Sequence, residues 1–253
     1  MDNKTYKLLV GVIVASLLAV VVVIVVIVSL NNTDSNSITA STNSPNVNSS
    51  LAADPDKPWH ANMVLGSFAK TKNHFVEYAD PMCGYCGKFS LALIHNSSEL
   101  YSKYLNNNKL TLEVRLTDFL QQSQEDNSTR AAEYAYCAAD QNKFFDYYDS
   151  FMTKLDKDYF SKGIGSYHGA PEIPHLVDSY YDGVASQAGV DSASLSSCLS
   201  SGKGQSLLNQ ATVSAQKIVT QGLPSFNFNS FTTSGFDGSW ETVKKMFAAG
   251  GVS

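Results

Sequence analysis

Arginine and clusters of basic residues are scarce in this sequence. Only Arg115 and Arg130 occur among its 253 residues, and the formal net charge is −5 at pH 7. Proteins that bind nucleic acids need a basic patch or stripe, because they must neutralise phosphate charges. The composition therefore argues against a nucleic-acid partner.

Cysteine is also scarce, and its spacing limits the chemistry that it can support. Cys83 and Cys86 are separated by two residues, whereas Cys137 and Cys198 stand alone. A zinc site would need a second Cys or His pair at short spacing. No such pair is formed by the histidines, which are His60, His74, His95, His168 and His175. The spacings therefore favour redox chemistry over metal binding at Cys83 and Cys86.

Cys83 and Cys86 lie where a predicted strand, residues 75–79, turns into a predicted helix over residues 89–94. A thiol at a helix N-terminus faces unpaired N–H groups and the positive end of the helix dipole. Both favour the thiolate, which attacks disulfides, and the two-residue spacing lets a second thiol resolve a mixed disulfide. We expect Cys83 to be the nucleophile and Cys86 the resolving thiol. The alternative is a structural disulfide in a tight loop.

Residues 8–30 form a long apolar run that predicts a membrane anchor. A helix of that length spans about 34 Å, enough for a hydrocarbon core of about 30 Å. Secretory signals have a shorter apolar region of about 7–15 residues, so we expect the segment to stay uncleaved. Lys4 and Lys7 precede it, and no Lys or Arg follows before Lys57. The positive-inside rule then places residues 1–7 in the cytoplasm and the rest outside the cell membrane.

Residues 31–58 are rich in Asn, Ser and Thr and contain little that could form a core. Such a composition predicts a flexible linker with an average end-to-end distance of about 30 Å. The folded domain is predicted over residues 59–253.

The order of predicted elements indicates an α/β chain with a helical insertion at about 119–204. Alternating apolar residues predict a second strand over residues 108–116, and helical periodicity with a break at Gln141 and Asn142 follows. Further predictions are a loop over 156–174, helices near 175–188 and 191–200, a helix through Val219 ended by Gly222, a strand holding Phe226 and Phe228, and a helix from Ser239.

From about Gly66 to its end, the chain resembles the thioredoxin superfamily and, within it, the DsbA-like branch. The motifs are Cys83-Gly84-Tyr85-Cys86, the acid Glu77 six residues earlier, the segment Gly222-Leu223-Pro224-Ser225-Phe226, and the helical insertion between them. The resemblance implies a thioredoxin-like fold with an inserted helical subdomain, and it implies no cofactor and no metal.

The resemblance also implies roles for individual residues. Pro224 would be cis and would hold the backbone of Leu223 open for an extended substrate, whereas by itself it could be an ordinary turn proline. Glu77 would carry protons for Cys86 through water, whereas by itself it could be a solvent-facing acid on an edge strand. Tyr85 would tune specificity or reduction potential, or else be a surface aromatic.

Cys137 and Cys198 would tend to pair outside the cytoplasm. A structural disulfide across the helical block is the favoured interpretation. Two free buried thiols and a second redox relay are the alternatives.

Together with the resemblance, the sequence predicts an extracytoplasmic, membrane-anchored thiol–disulfide oxidoreductase that forms disulfides in secreted proteins. Its expected partners are reduced or unfolded secreted proteins and a membrane redox partner, and we expect a monomer. An isomerase or reductase with the same site is one alternative. Gly84-Tyr85 resembles the dipeptide of a periplasmic isomerase, although the dimerisation domain of that protein has no counterpart here. The other alternative is a non-catalytic metal-handling or adhesion module, in which Cys83 and Cys86 could hold copper(I) together with a nearby histidine such as His74.

Overall fold

The computed structural model of the chain describes residues 54–95, 99–123, 126–165 and 169–252. The predicted cytoplasmic residues 1–7, the anchor at 8–30 and the linker up to residue 53 lie outside these ranges. Within them, no helix is both long enough and apolar enough to cross a membrane.

A mixed sheet of five strands forms the centre of the described chain, in the order β1-β3-β2-β4-β5. The strands are β1 (Val64–Leu65), β2 (His74–Ala79), β3 (Thr111–Leu116), β4 (Ser225–Phe228) and β5 (Phe231–Ser234). The central strand β2 is parallel to β3 and antiparallel to β4. Its aromatic and β-branched residues suit a buried strand. Strands β1 and β5, which the sequence did not predict, form the edges.

Seven α-helices surround this sheet in the part of the chain that the structure describes. They are α1 (Gly84–Phe89), α2 (Asn127–Ala139), α3 (Phe144–Asp158), α4 (Asp178–Gln187), α5 (Ser192–Ser200), α6 (Lys203–Ala215) and α7 (Trp240–Ala249). Two π-helical segments, Ser90–His95 and Leu100–Leu105, follow α1. Short 3₁₀ turns lie at Ala61–Met63, Gln121–Ser123 and Phe160–Lys162. This architecture confirms the predicted α/β fold with a helical insertion.

The helix predicted to run to Gly222 ends earlier, at Ala215. The carbonyl group of Ala215 accepts hydrogen bonds from the N–H groups of both Ile218 and Val219, at 2.9 and 2.7 Å. The bond from Ile218 is of the 3₁₀ type, which tightens the last turn of the helix, and residues 216–222 then lead into β4.

One face of the sheet is aromatic and packs against α1 and α7. The ring of Phe75 on β2 lies 6.2 Å from that of Phe89, 5.4 Å from that of Phe226 and 5.2 Å from that of Phe247. Burying such rings together supplies much of the apolar area of a core. The cluster anchors α1, and therefore the thiols at its start, to the central strand.

The other face of the sheet is also buried, and on β3 it is polar. Glu113 and Arg115 on β3 are 0% exposed, and Arg115 donates to the Glu113 carboxylate at 2.8 Å. Arg115 also donates to the main-chain carbonyl groups of Asp54 and Lys57, at 3.1 and 2.7 Å. Buried charges need such partners. Residues 54–58, which composition assigned to the linker, are therefore hydrogen-bonded to the sheet.

The helical block holds its own aromatic cluster and a disulfide. The Tyr134 ring lies 6.2 Å from that of Tyr147 and 5.3 Å from that of Tyr181. Cys137 on α2 and Cys198 on α5 form a disulfide whose Cα atoms are 5.7 Å apart. Helices α2 to α5 lie within the predicted limits of 119–204, and α6 begins at Lys203.

Candidate active site

The two free thiols lie at the carboxyl end of β2, where α1 begins. Cys83 is the N-cap of α1, and its Sγ accepts a hydrogen bond from the N–H of Cys86 at 3.3 Å. Cys83 is 7% exposed, whereas Cys86 is 0% exposed. An N–H donated to sulfur stabilises negative charge there. Only Cys83 combines that contact with access to solvent, which suits the attacked sulfur, while Cys86 is shielded.

The loop between α6 and β4 lies against Cys83. The Leu223–Pro224 peptide bond is cis, and the Cys83 thiol donates to the carbonyl oxygen of Leu223 at 3.8 Å. Gly222 adopts φ = +121°, a backbone conformation that favours glycine. The structure thus brings together two segments that are 140 residues apart in sequence.

Glu77 is a fully buried residue of the central strand and is not at an edge. Its register partners are Val114 on β3 and Phe226 on β4. Neither carboxyl oxygen has a hydrogen-bond partner within the described part of the chain. Burial, with a smaller effect from Cys83, raises the pKa of Glu77 well above its ordinary value. Burial therefore favours the protonated, neutral form of Glu77.

Cys86 also holds its proton tightly. Burial is the main cause that raises the pKa of the Cys86 thiol, and the hydrogen bond and charge of Cys83 and the charge of Glu77 add to it. A Cys86 thiolate formed during exchange would therefore take up a proton readily. Glu77 is the buried acid whose charge affects the pKa of that thiol.

Glu77→Gln is expected to stabilise the protein at neutral pH and to change its stability little near pH 4. The folded wild type keeps a proton that the unfolded chain releases above the ordinary glutamate pKa of 4.5. The stabilisation from this proton is complete below that pH and is lost as the pH rises towards the folded-state pKa. Thermal unfolding across this pH range would measure it, and about 1 kcal/mol corresponds to about 2–4 °C in Tm.

The exposed Glu172 supplies the control for this experiment. Glu172→Gln should not reproduce the trend. A Tm difference between Glu77→Gln and wild type that stays constant with pH would contradict the assignment of Glu77 as a buried, protonated acid.

Asp80 is a site residue that the sequence did not single out. Its carboxylate accepts hydrogen bonds from the N–H groups of Met82 and Leu120, at 2.8 and 2.9 Å, and from Ser128 Oγ at 2.7 Å. Burial outweighs these bonds and raises the pKa of Asp80 to about 6. The carboxylate joins the turn before Cys83 to α2. An aspartate that begins a turn just before a motif was the signal that could have revealed it.

A groove of about 290 Å³ opens beside Cys83. It is lined by Cys83, Phe119, Leu120, Val219, Gly222 and Leu223. Phe119 is 39% exposed, and the nearby motif residue Tyr85 is 42% exposed. Apolar side chains left in contact with water beside a reactive group mark a binding surface. Phe119, Leu120 and Val219 had no signal in sequence, because separate loops bring them to Cys83.

His74 does not join the two cysteines. Its ring nitrogens contact Thr111 Oγ1 at 2.7 Å and Glu113 Oε2 at 2.9 Å. It begins β2, whereas the thiols follow the other end of that strand, about 16 Å away at about 3.3 Å per residue. The copper alternative that used His74 as a third ligand is therefore wrong in that respect.

Comparisons with known proteins agree with this geometry. Residues 60–245 match the sequence model of the thioredoxin family. Comparison with curated proteins finds no significant match.

Several solved structures share the fold. The thiol-disulfide exchange protein alpha-DsbA2 from Wolbachia pipientis has 15% identity and a TM-score of 0.53, over 74% of this chain and 85% of that one. A periplasmic thioredoxin-like protein from Salmonella enterica serovar Typhimurium has 16% identity and a TM-score of 0.55, over 80% and 94%. MdbA, a thiol-disulfide oxidoreductase from Corynebacterium diphtheriae, has 17% identity and a TM-score of 0.53, over 74% and 90%. Since the family match covers most of the chain, this protein belongs to the thioredoxin family.

Proposed function

We propose that this protein is a membrane-anchored, extracytoplasmic thiol–disulfide oxidoreductase that forms disulfides in secreted proteins. The proposal rests on the surroundings of Cys83. Its sulfur accepts the N–H of Cys86 and lies beside the carbonyl of Leu223, which precedes a cis proline. A purely structural disulfide would need neither a substrate groove nor a buried acid next to its shielded sulfur.

In the proposed reaction, the Cys83–Cys86 disulfide is the oxidant. A substrate thiolate attacks Cys83 Sγ, the bond between the two cysteines breaks, and the electron pair leaves on Cys86, which takes up a proton. A second substrate thiolate then attacks the substrate sulfur and releases Cys83 as a thiolate. The substrate loses two electrons and gains a disulfide, and the enzyme holds two thiols until a membrane redox partner removes both electrons.

Glu77 supplies the proton that Cys86 takes up. Both groups are buried, and burial raises the pKa of each, so each favours its protonated form. Proton transfer by a positioned carboxyl group fits this geometry. Glu77 then recovers its proton from solvent before the next turnover.

The substrate class follows from the groove. An extended peptide can pair with the backbone next to Pro224, as strands add to a free edge, and place its cysteine at Cys83. Its apolar neighbours would contact Phe119 and Leu223, and Tyr85 offers an exposed ring on the same side. Reduced, unfolded secreted proteins present such segments, whereas folded proteins bury them.

Residues 8–30 supply the anchor in this proposal, and the positive-inside rule places the domain outside the cytoplasm. The likeness to a solved periplasmic protein supports that placement. Residues 31–53 would act as a tether, and the docked residues 54–58 would set where the domain begins. A redox partner in the same membrane can then reoxidise the Cys83–Cys86 dithiol, and the domain does not have to diffuse away to meet it. We expect a monomer.

The reduction potential of the Cys83–Cys86 pair in the full-length protein tests the proposal. Thioredoxin and DsbA differ by about 150 mV, or about 7 kcal/mol for two electrons. We expect a value near the oxidising, DsbA end, together with stoichiometric oxidation of a reduced, unfolded protein by the oxidised enzyme. A value near that of thioredoxin would contradict the oxidase and favour a reductase or isomerase. Tight copper(I) binding without dithiol turnover would contradict enzyme activity itself.

A further inference from the structure

Tyr148 carries a buried hydroxyl group on the helix of the insertion that packs against the redox helix α1. It lies on α3, in the helical insertion, and is 1% exposed. Its Oη has no hydrogen-bond partner among the described residues, and the same holds for both carboxyl oxygens of Glu77. Buried polar groups are seldom left without a hydrogen-bond partner. The unpaired groups of Tyr148 and Glu77 therefore indicate a partner that both of them share.

The packing of α3 explains how Tyr148 reaches this position. Met152 follows Tyr148 by one helical turn and therefore shares its face of α3. The Met152 sulfur lies 3.6 Å from where a Cβ atom at Gly87 would stand, and Gly87 follows Cys86 directly. This face of the insertion therefore packs on the active-site helix.

The charges around Tyr148 belong to the same site. Burial raises the pKa of its hydroxyl, and the next contributions come from Glu77 on β2, Cys86 and Cys83 at α1, and Asp80 in the turn between them. Glu77 contributes the most of these four. Of the two carboxyl groups that act on Tyr148, Asp80 already accepts three hydrogen bonds. Glu77 accepts none from the described residues.

The neighbouring Tyr147 faces elsewhere. It is equally buried, and its hydroxyl also has no hydrogen-bond partner in the ranges that the structure describes. After burial, the groups that act on it are those of the insertion, namely Tyr181, Tyr134, Arg130 and Asp182. The ring of Tyr147 lies 6.2 Å from that of Tyr134 in the insertion, so the two adjacent and equally buried tyrosines have different surroundings.

We propose that Tyr148 is a positioning residue of the redox site, whose hydroxyl donates through an ordered water molecule to the Glu77 carboxylate. The inference rests on the proposed function and adds the insertion to its machinery. Such a water would find partners in Glu77, Tyr148 and Cys86, and buried waters typically make about three hydrogen bonds. A donor to the ionised carboxyl group stabilises that form.

The water-mediated contact between Tyr148 and Glu77 acts in the resolving step, in which Cys86 attacks the mixed disulfide on Cys83. With Cys83 in a mixed disulfide, the Cys86 thiol passes its proton to the Glu77 carboxylate, and its sulfur attacks Cys83 Sγ. The bond from Cys83 to the partner sulfur breaks, and the partner leaves as a thiolate with the electron pair. The water molecule held by Tyr148 donates to Glu77 and keeps it available as the base, and the same path run in reverse delivers the proton during substrate oxidation.

Tyr148→Phe, with Tyr147→Phe as the matched control, tests the inference in the full-length protein. Each variant is loaded with glutathione on Cys83, and the rate of glutathione release is measured against pH. We expect the midpoint of the profile to move up by about one pH unit from wild type to Tyr148→Phe. Loss of the hydroxyl removes the anchor of the water molecule that donates to Glu77, and a hydrogen bond to a charged group is worth at least that much. Tyr147→Phe should keep the wild-type midpoint.

Each outcome bears on one claim. Equal midpoints in wild type and Tyr148→Phe, or an equal shift in Tyr147→Phe, would overturn the role of Tyr148 while the proposed function stands. Failure of the wild type to release glutathione would overturn the proposed function itself. Both variants keep the ring and lose only a hydroxyl that makes no hydrogen bond to another described residue, so circular dichroism should show an intact fold in each.

Discussion

Cys83→Ser is expected to reduce disulfide formation to the uncatalysed rate and to leave the fold intact. A serine hydroxyl cannot form a mixed disulfide, so no electrons can pass from substrate to enzyme. Serine is also a good N-cap, and it can accept the Cys86 N–H that the thiol now accepts. The oxidation rate of a reduced test protein and the Tm measure the two parts of this prediction.

The control is Cys86→Ser, which keeps the attacked sulfur and removes the shielded one. Incubated with a protein that already carries a disulfide, it should accumulate a covalent adduct on Cys83, because the Cys83 thiolate attacks that disulfide and no second thiol resolves the product. The adduct is visible as added mass that disappears on reduction. Activity that survives in Cys83→Ser, or an adduct that forms on Cys86 when both thiols are present, would refute the assignment of roles.

Removing the Cys137–Cys198 disulfide by Cys137→Ala together with Cys198→Ala should destabilise the domain strongly without changing the reaction. The two cysteines are 61 residues apart, and the loop-entropy relation gives about 4 kcal/mol for a loop of that length. In a domain of this size, such a loss lowers the Tm by about 8–16 °C. Calorimetry and the oxidation assay, run below the lowered Tm, measure stability and activity separately.

Wild type in which only this disulfide has been reduced and alkylated should melt like the double variant. A double variant with an unchanged Tm and no activity would point instead to a second redox relay through Cys137 and Cys198. The disulfide joins α2 to α5, on helices of the insertion, which agrees with a stabilising part in that block.

Short-range patterns along the chain mark the centre of the site. They are the apolar run of β2, the two-residue spacing of Cys83 and Cys86, and the Gly-x-Pro segment at Pro224. Backbone propensity and motif spacing act within a few residues, so they can be read from the amino-acid order alone. The limits of β2 and the break between α2 and α3 are predictable for the same reason.

Contacts between distant segments cannot be read in that way. The alternating pattern of β3 predicts that Thr111, Glu113 and Arg115 share one face of the strand. It does not predict which segment packs on that face. Residues 54–58 cover it, because the main-chain carbonyl groups of Asp54 and Lys57 satisfy the buried guanidinium group of Arg115. Composition alone assigned those residues to a flexible linker.

Amino-acid order is thus enough to place a reactive dithiol between a buried strand and a helix, and to add an acid and a proline to it. The groups that surround the dithiol depend on tertiary packing: Phe119 in the groove, Asp80 in the turn, and Tyr148 on a helix of the insertion. The physical reason is that burial, which sets the proton affinity of Glu77 and Cys86, arises where separate segments pack together. Burial of this kind cannot be predicted from a local pattern of residues along the chain.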